Sequence, residues 1–158
     1  MTKIDKIAEH VKVIRERLVE KVPGHFGMAH VIAAFFGALF FGFSFVLTSL
    51  LFQVSLALDS IHLVLLTITT WTILSAEIYF VGYTRVPEAD KHIRHFGQFW
   101  AKRIISYYLI GLFVAFLLLS TYGITEFAGT PFNALKLVVS VSFPASIGAA
   151  ASDLLGKY

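Results

Sequence analysis

Cysteine is missing from this 158-residue chain, which removes disulfides, thiol chemistry and cysteine-based metal sites together. Charge is scarce too: Asp, Glu, Lys and Arg make up 15% of the residues, against 57% hydrophobic. There is no HExxH, no GxSxG and no Walker loop, and the few histidines are scattered. Metal-assisted hydrolysis, serine nucleophiles and phosphoryl transfer therefore lack their usual groups, and neither an enzyme nor a cofactor or metal is expected. No strong internal repeat is visible. The first 25 residues have no short apolar core followed by a small-residue cleavage site, so a cleaved secretory signal is not expected.

What the chain does have is apolar length. Mean hydropathy is +0.76, and the apolar residues fall in runs of about 20 or more, the length needed to cross a hydrocarbon core of about 30 Å. The expected fold is an all-α integral membrane four-helix bundle. Its spans are expected at about Met28 to Gln53, Ser60 to Tyr83, Ile104 to Ile124 and Phe132 to Leu155. Basic residues then set an orientation. Lys3, Lys6, Lys12, Arg15, Arg17 and Lys21 precede the first span, and Arg85, Lys91, Arg94, Lys102 and Arg103 lie between the second and third. The other two connections are nearly free of them. By the positive-inside rule both termini and the central loop are cytoplasmic, in a multi-pass protein of the cell membrane. A net charge of +3 gathered on that face fits contact with anionic lipid and not with nucleic acid.

The chain divides into a cytoplasmic amphipathic helix at 1–26 and a four-span domain at 27–158. In the first, Ile4, Ile7, Val11, Ile14 and Leu18 alternate spacings of three and four, the seam of a heptad repeat, until Pro23 and Gly24 end it. Fewer than three heptads hold a free coiled coil only weakly, so docking on the membrane and pairing with a subunit both stay open. A second amphipathic stretch begins at Pro87. It has acids in its first turn, bases in its last and a stripe of Ile93, Phe96 and Trp100, and it reads as an interfacial helix leading into the third span.

Within this apolar frame one acid is out of place. Glu77 lies about six residues, or about 9 Å, inside the cytoplasmic end of the second span, and a charged side chain at a helix centre costs about 3 kcal/mol on insertion scales. At similar or shallower depth lie His30, Arg103, Ser152 and Asp153. His30 and Arg103 are candidate partners of Glu77, and Asp153 is a second acid that could share a proton or a cation with it. Glu77, Asp153 and His30 are thus the candidate ion-binding or proton-relay residues. The plainer reading is that hydrogen bonds or an ion pair neutralise them and that they serve packing alone. Thr67, Thr69, Thr70, Thr72 and Ser75 run along the second span. They line a hydrated path or return to their own backbone, and both readings stay open. At the opposite end Gln53, Asp59, His62, Thr121, Glu126 and Lys136 read as headgroup-level residues. Asp59 and His62 are too few for a metal site, and His30 and His62 lie near opposite faces, too far apart to ligate one haem.

Packing is expected to centre on the last span. Pro144 should kink it or free the carbonyl of Ser140. Ser142, Ser146, Gly148, Ala150 and Ser152 allow close approach, matched on the first span by Ala33, Gly37, Ala38 and Gly42. "FFGALFFGFSFVLTSLL" in the first span and "VVSVSFPASIGAAASDLL" in the last, about a quarter of the chain, resemble the integral membrane proteins of the DUF2391 family. That resemblance implies a compact multi-span protein with no established reaction, and it assigns no functional residue. The residues themselves point to a small transport protein, channel or carrier, in which subunits of a homo-oligomer pass a proton or small inorganic cation by Glu77. The alternative is a structural or regulatory module that binds a partner through its first helix.

Overall fold

The computed structural model describes residues 26–85 and 96–156. The amphipathic segment read at 1–26 falls outside them except for Phe26, and so does the interfacial stretch from Pro87 to His95. Every regular element among the described residues is helical: α1 (Met28–Val46), α2 (Ser49–Ala57), α3 (Ser60–Glu77), α4 (Phe96–Thr121), α5 (Ile124–Phe127) and α6 (Pro131–Leu155). α3 continues through a π-helical turn, Ile78–Gly82, and a 3₁₀ turn, Tyr83–Arg85. Four segments are long and apolar enough to cross a membrane: Met28–Val46, Ser60–Gly82, Trp100–Thr121 and Pro131–Leu155.

The second to fourth spans lie where hydropathy puts them. The first does not run on to Gln53. It stops at Val46, Thr48 takes an extended conformation (φ −94°, ψ 112°), and α2 begins as a separate helix. At the break the Ser44 hydroxyl donates to the Phe40 carbonyl (3.1 Å) and Thr48 to the Ser44 carbonyl (3.4 Å). Such back-bonding often bends a helix, and Thr48 stands at the N-cap position of α2 without a side-chain capping bond. Hydropathy is blind to this. α2 is closed at its far end by Lys136, whose Nζ donates to the Leu56 carbonyl (3.0 Å), a cation where the helix dipole favours one. Glycines with positive φ, Gly123 (69°) and Gly129 (73°), turn the chain on either side of α5. Thr130 then accepts from the Asn133 N–H (3.2 Å), with Pro131 in the first turn of α6.

α6 is the axis of the bundle. Twelve of its 25 residues are buried, and α1, α2, α3 and α4 all pack on it. Because lipid tails are as apolar as leucine, helices in a bilayer gain little from hydrophobic burial against each other and rely on close packing. Two seams provide it. On one side Gly148 meets α1 so tightly that a Cβ there would lie 2.6 Å from the Gly37 carbonyl oxygen and 2.6 Å from Phe41 Cδ2. On the other, a Cβ on Gly111 of α4 would collide with the Ser146 hydroxyl. Gly37 and Gly148 follow from the spacing of small residues, whereas Gly111 has no such pattern around it. Pro144 lies inside the helix, which runs without interruption from Pro131 to Leu155. Phe36, Phe40, Ile68, Trp71, Phe113 and Phe116 face outward, as suits a surface bathed in hydrocarbon.

Leucine at Gly148 or Gly111 is expected to lower stability by at least the cost of core overpacking, about 1 to 3 kcal/mol. Phe36→Leu on the outer face should change it by less than about 0.5 kcal/mol. Reversible unfolding in mixed micelles measures both.

Candidate functional site

The end of the bundle that carries the start of α1 and the close of α6 holds a buried polar centre. His30 stands in the first turn of α1, Arg103 and Tyr107 are one turn apart on α4, and Asp153 lies in the last turn of α6. The two ends meet because α1 and α6 run antiparallel and touch at the Gly37 and Gly148 seam. His30 Nδ1 is 2.7 Å from Asp153 Oδ1. The other carboxylate oxygen, Oδ2, accepts from the Tyr107 hydroxyl at 2.5 Å and lies 3.6 Å from Arg103 Nη1. Arg103 Nη1 in turn donates to the Tyr107 oxygen at 3.1 Å. Arg103, Tyr107 and Asp153 are 2%, 0% and 3% exposed. One acid and one guanidinium balance in charge, so a neutral His30 leaves the group without net charge. Both carboxylate oxygens are engaged, the condition under which a buried ion pair is tolerated.

Phe26 closes the group on its outer side. Its ring stacks on His30 (5.4 Å between centroids, 18°), meets Tyr107 edge-on at 5.8 Å and lies 5.9 Å from the Arg103 guanidinium carbon. His30, Arg103 and Asp153 are all legible from depth alone. Tyr107 and Phe26 are not. The available signal for Tyr107 was its place four residues after Arg103, on the same helix face.

Glu77 stands apart from this group. It is expected to meet His30 or Arg103, yet among the described residues it makes no hydrogen bond or ion pair, and its Oε2 is buried. Both bases are turned to Asp153 instead. Helix phase explains the difference: Leu74 and Ile78, four apart, are fully buried where the second span packs on the bundle, and Glu77 falls on the flank of that stripe. The π-helical turn begins immediately after it, with the Ile78 N–H shared between the Leu74 and Ser75 carbonyls. Single π turns inside α-helices are frequent at functional sites.

The hydroxyl run is resolved in favour of the backbone. Thr67, Thr69, Thr70, Thr72 and Ser75 each donate to the carbonyl four residues earlier, at 2.6–2.9 Å. Thr67 also lies 3.3 Å from the Tyr108 hydroxyl. At the far end Asp59, His62, Gln53 and Glu126 are exposed, whereas Lys136 is a helix-closing residue and not a solvated one. No three His, Asp or Glu side chains among the described residues stand close enough to hold a metal.

With four spans, the Gly37 and Gly148 seam and the last-span Asp153 on the page, the comparison with families is decisive. The family model described as integral membrane protein (DUF2391) matches residues 9–155, nearly the whole chain. The chain belongs to the DUF2391 family. Neither a curated protein nor a solved structure matches it. Membership in DUF2391 brings the membrane with it, and the chemistry has to come from the side chains above.

Within the Asp153 group, Tyr107→Phe keeps the ring and removes the hydroxyl that donates to Asp153 and accepts from Arg103, a loss of at least about 1.5 to 3 kcal/mol, the worth of one charge-assisted hydrogen bond. Asp153→Asn takes the carboxylate charge away from beside the buried Arg103 and should cost about 3 to 5 kcal/mol. The double variant should lose less than the sum of the two, by about 0.5 to 3 kcal/mol. Unfolding of the four proteins in one double-mutant cycle measures this coupling.

Proposed function

We propose that this DUF2391 protein is a small transport protein, channel or carrier, that moves a proton or small inorganic cation past Glu77, with Asp153 and His30 as a separate polar centre toward the same end of the bundle. The observation that carries the reading is the contrast between the two acids. Asp153 has both oxygens occupied, whereas Glu77 has a buried oxygen with no partner among the described residues. An oxygen in that state is completed by a proton, a cation or water. Asp153 is held in place, and Glu77 has capacity left.

The packing also bears on where such a path would run. α6 is closed against α1 and α4 by its small residues, which leaves little room through the middle of one chain. Glu77 sits on the flank of the second span, the least buried of the four. A path by Glu77 is therefore shared between copies in a homo-oligomer. The basic residues orient the Glu77 and Asp153 end toward the cytoplasm, with both termini on that side of the cell membrane. On this reading the chain needs no cofactor and performs no covalent chemistry. One observation favours the second reading, a structural or regulatory module with segment 1–26 as the partner-binding helix: both oxygens of Asp153 are engaged by residues of two other helices, which suits it to serve as a pin.

In proteoliposomes holding only this protein, Glu77→Gln should abolish proton or cation flux while changing stability by less than about 1 kcal/mol. Full flux in a stable Gln variant would remove Glu77 from the mechanism, and no flux from the unaltered protein would favour the module. Cysteines introduced at Ser60 and Thr125 should react with an impermeant reagent applied to intact cells, and one at Ala89 should not. Reaction at Ala89 would reverse the orientation.

A further inference from the structure

The end of the bundle away from Asp153 contains a cavity of about 390 Å³. It exists because the first span breaks: α1 ends at Val46, the chain turns at Leu47 and Thr48, and α2 leaves an opening over α4 and α6 that a continuous helix would have occupied. Leu47, Leu51 and Phe52 form its roof, Leu119 one wall, and Leu137 and Val141 its floor. Leu137 and Val141 lie six and ten residues into α6, about 9 and 15 Å from its start at about 1.5 Å per residue. The cavity therefore runs from the headgroup-level end, where Gln53 lines it, to hydrocarbon depth.

Its size falls in the range of ligand pockets, about 300 to 1,000 Å³. Its lining favours an apolar occupant, since nine of the twelve residues around it are aliphatic or aromatic. A held water needs two to four polar partners. Thr48, Ser49 and Gln53 are the polar lining residues, all from the break and the start of α2, and the Thr48 hydroxyl already donates to the Ser44 carbonyl, so the stretch between Leu119, Leu137 and Val141 is apolar. Left empty, the lining would forfeit its dispersion contacts on one side. At that depth the solvent of a four-span protein is the bilayer, whose chains are apolar and linear.

We infer that this cavity binds an acyl chain of a membrane phospholipid, held as a bound lipid and not as one of the exchanging lipids around the bundle. The break in the first span is then the device that makes the binding site. The inference does not depend on transport by Glu77, which lies at the opposite end.

Native mass spectrometry of the full chain, delipidated in detergent and titrated with dioleoylphosphatidylcholine, tests it. One phospholipid should be retained per chain. A single-chain lysophosphatidylcholine should compete for the place, and glycerophosphocholine, the headgroup without chains, should not. Leu51→Trp fills the cavity from its half-buried roof, and Ile124→Phe fills it from the α5 side should the first variant fail to fold. Each should weaken retention by about tenfold or more, since shutting out even two methylenes forfeits that much burial. Ile68→Trp, on the outward face of α3, should leave retention unchanged. Equal retention in all the folded variants, competition by the headgroup alone, or a cavity occupied by a second copy of the chain, seen as a dimer that the filling variants dissociate, would overturn the inference.

Discussion

A carboxylate in a bilayer must bring its partners with it, and much of this structure follows from where Asp153 finds them. Placed alone in hydrocarbon a charged side chain costs about 3 kcal/mol or more. Asp153 avoids this by drawing His30 from the first span and Tyr107 and Arg103 from the third onto one pair of oxygens. Three helices are thereby fixed in rotation as well as in position, because each donor reaches the carboxylate from only one face of its helix. Nonpolar packing between membrane helices has no comparable directionality.

The glycine seams supply the closeness that this polar centre requires. Gly37 against Gly148 brings the backbones of α1 and α6 together, and Gly111 lets α4 approach Ser146. Without those approaches His30 and Tyr107 could not reach Asp153 from opposite sides. The same closeness seals the middle of the chain. What remains available for interaction lies at the periphery: Glu77 on the flank of the second span, the cavity under the broken first span, and an outer surface of phenylalanine and leucine that hydrocarbon covers.

Much of the fold is legible in the sequence, because span number and position depend on apolar length, a local property. The Gly37 and Gly148 contact is legible for a related reason, since small residues four apart mark a helix face whatever its partner. Depth counting also brought His30, Arg103 and Asp153 to one level. What it could not supply is rotation about each helix axis, and every miss at the site has that form. Glu77 shares the depth of Arg103 but not its direction, Tyr107 has the direction but attracts no notice as a tyrosine in an aromatic span, and Gly111 stands without a second small residue to mark its face. The break at Leu47 and Thr48 escaped for a different reason. It lies beside two hydroxyls that bond to carbonyls one turn back, inside a stretch apolar enough to read as one span.

The central claim is that Asp153 joins the first and last spans through His30. Solid-state NMR on protein in lipid bilayers, with ¹⁵N in the histidine rings and ¹³C in the aspartate carboxyls, tests it directly by dipolar dephasing. A nitrogen lying 2.7 Å from a carboxylate oxygen predicts strong dephasing between His30 Nδ1 and the Asp153 carboxyl carbon, abolished in Asp153→Asn. Absence of dephasing between those two nuclei in the folded, unaltered protein would contradict the account.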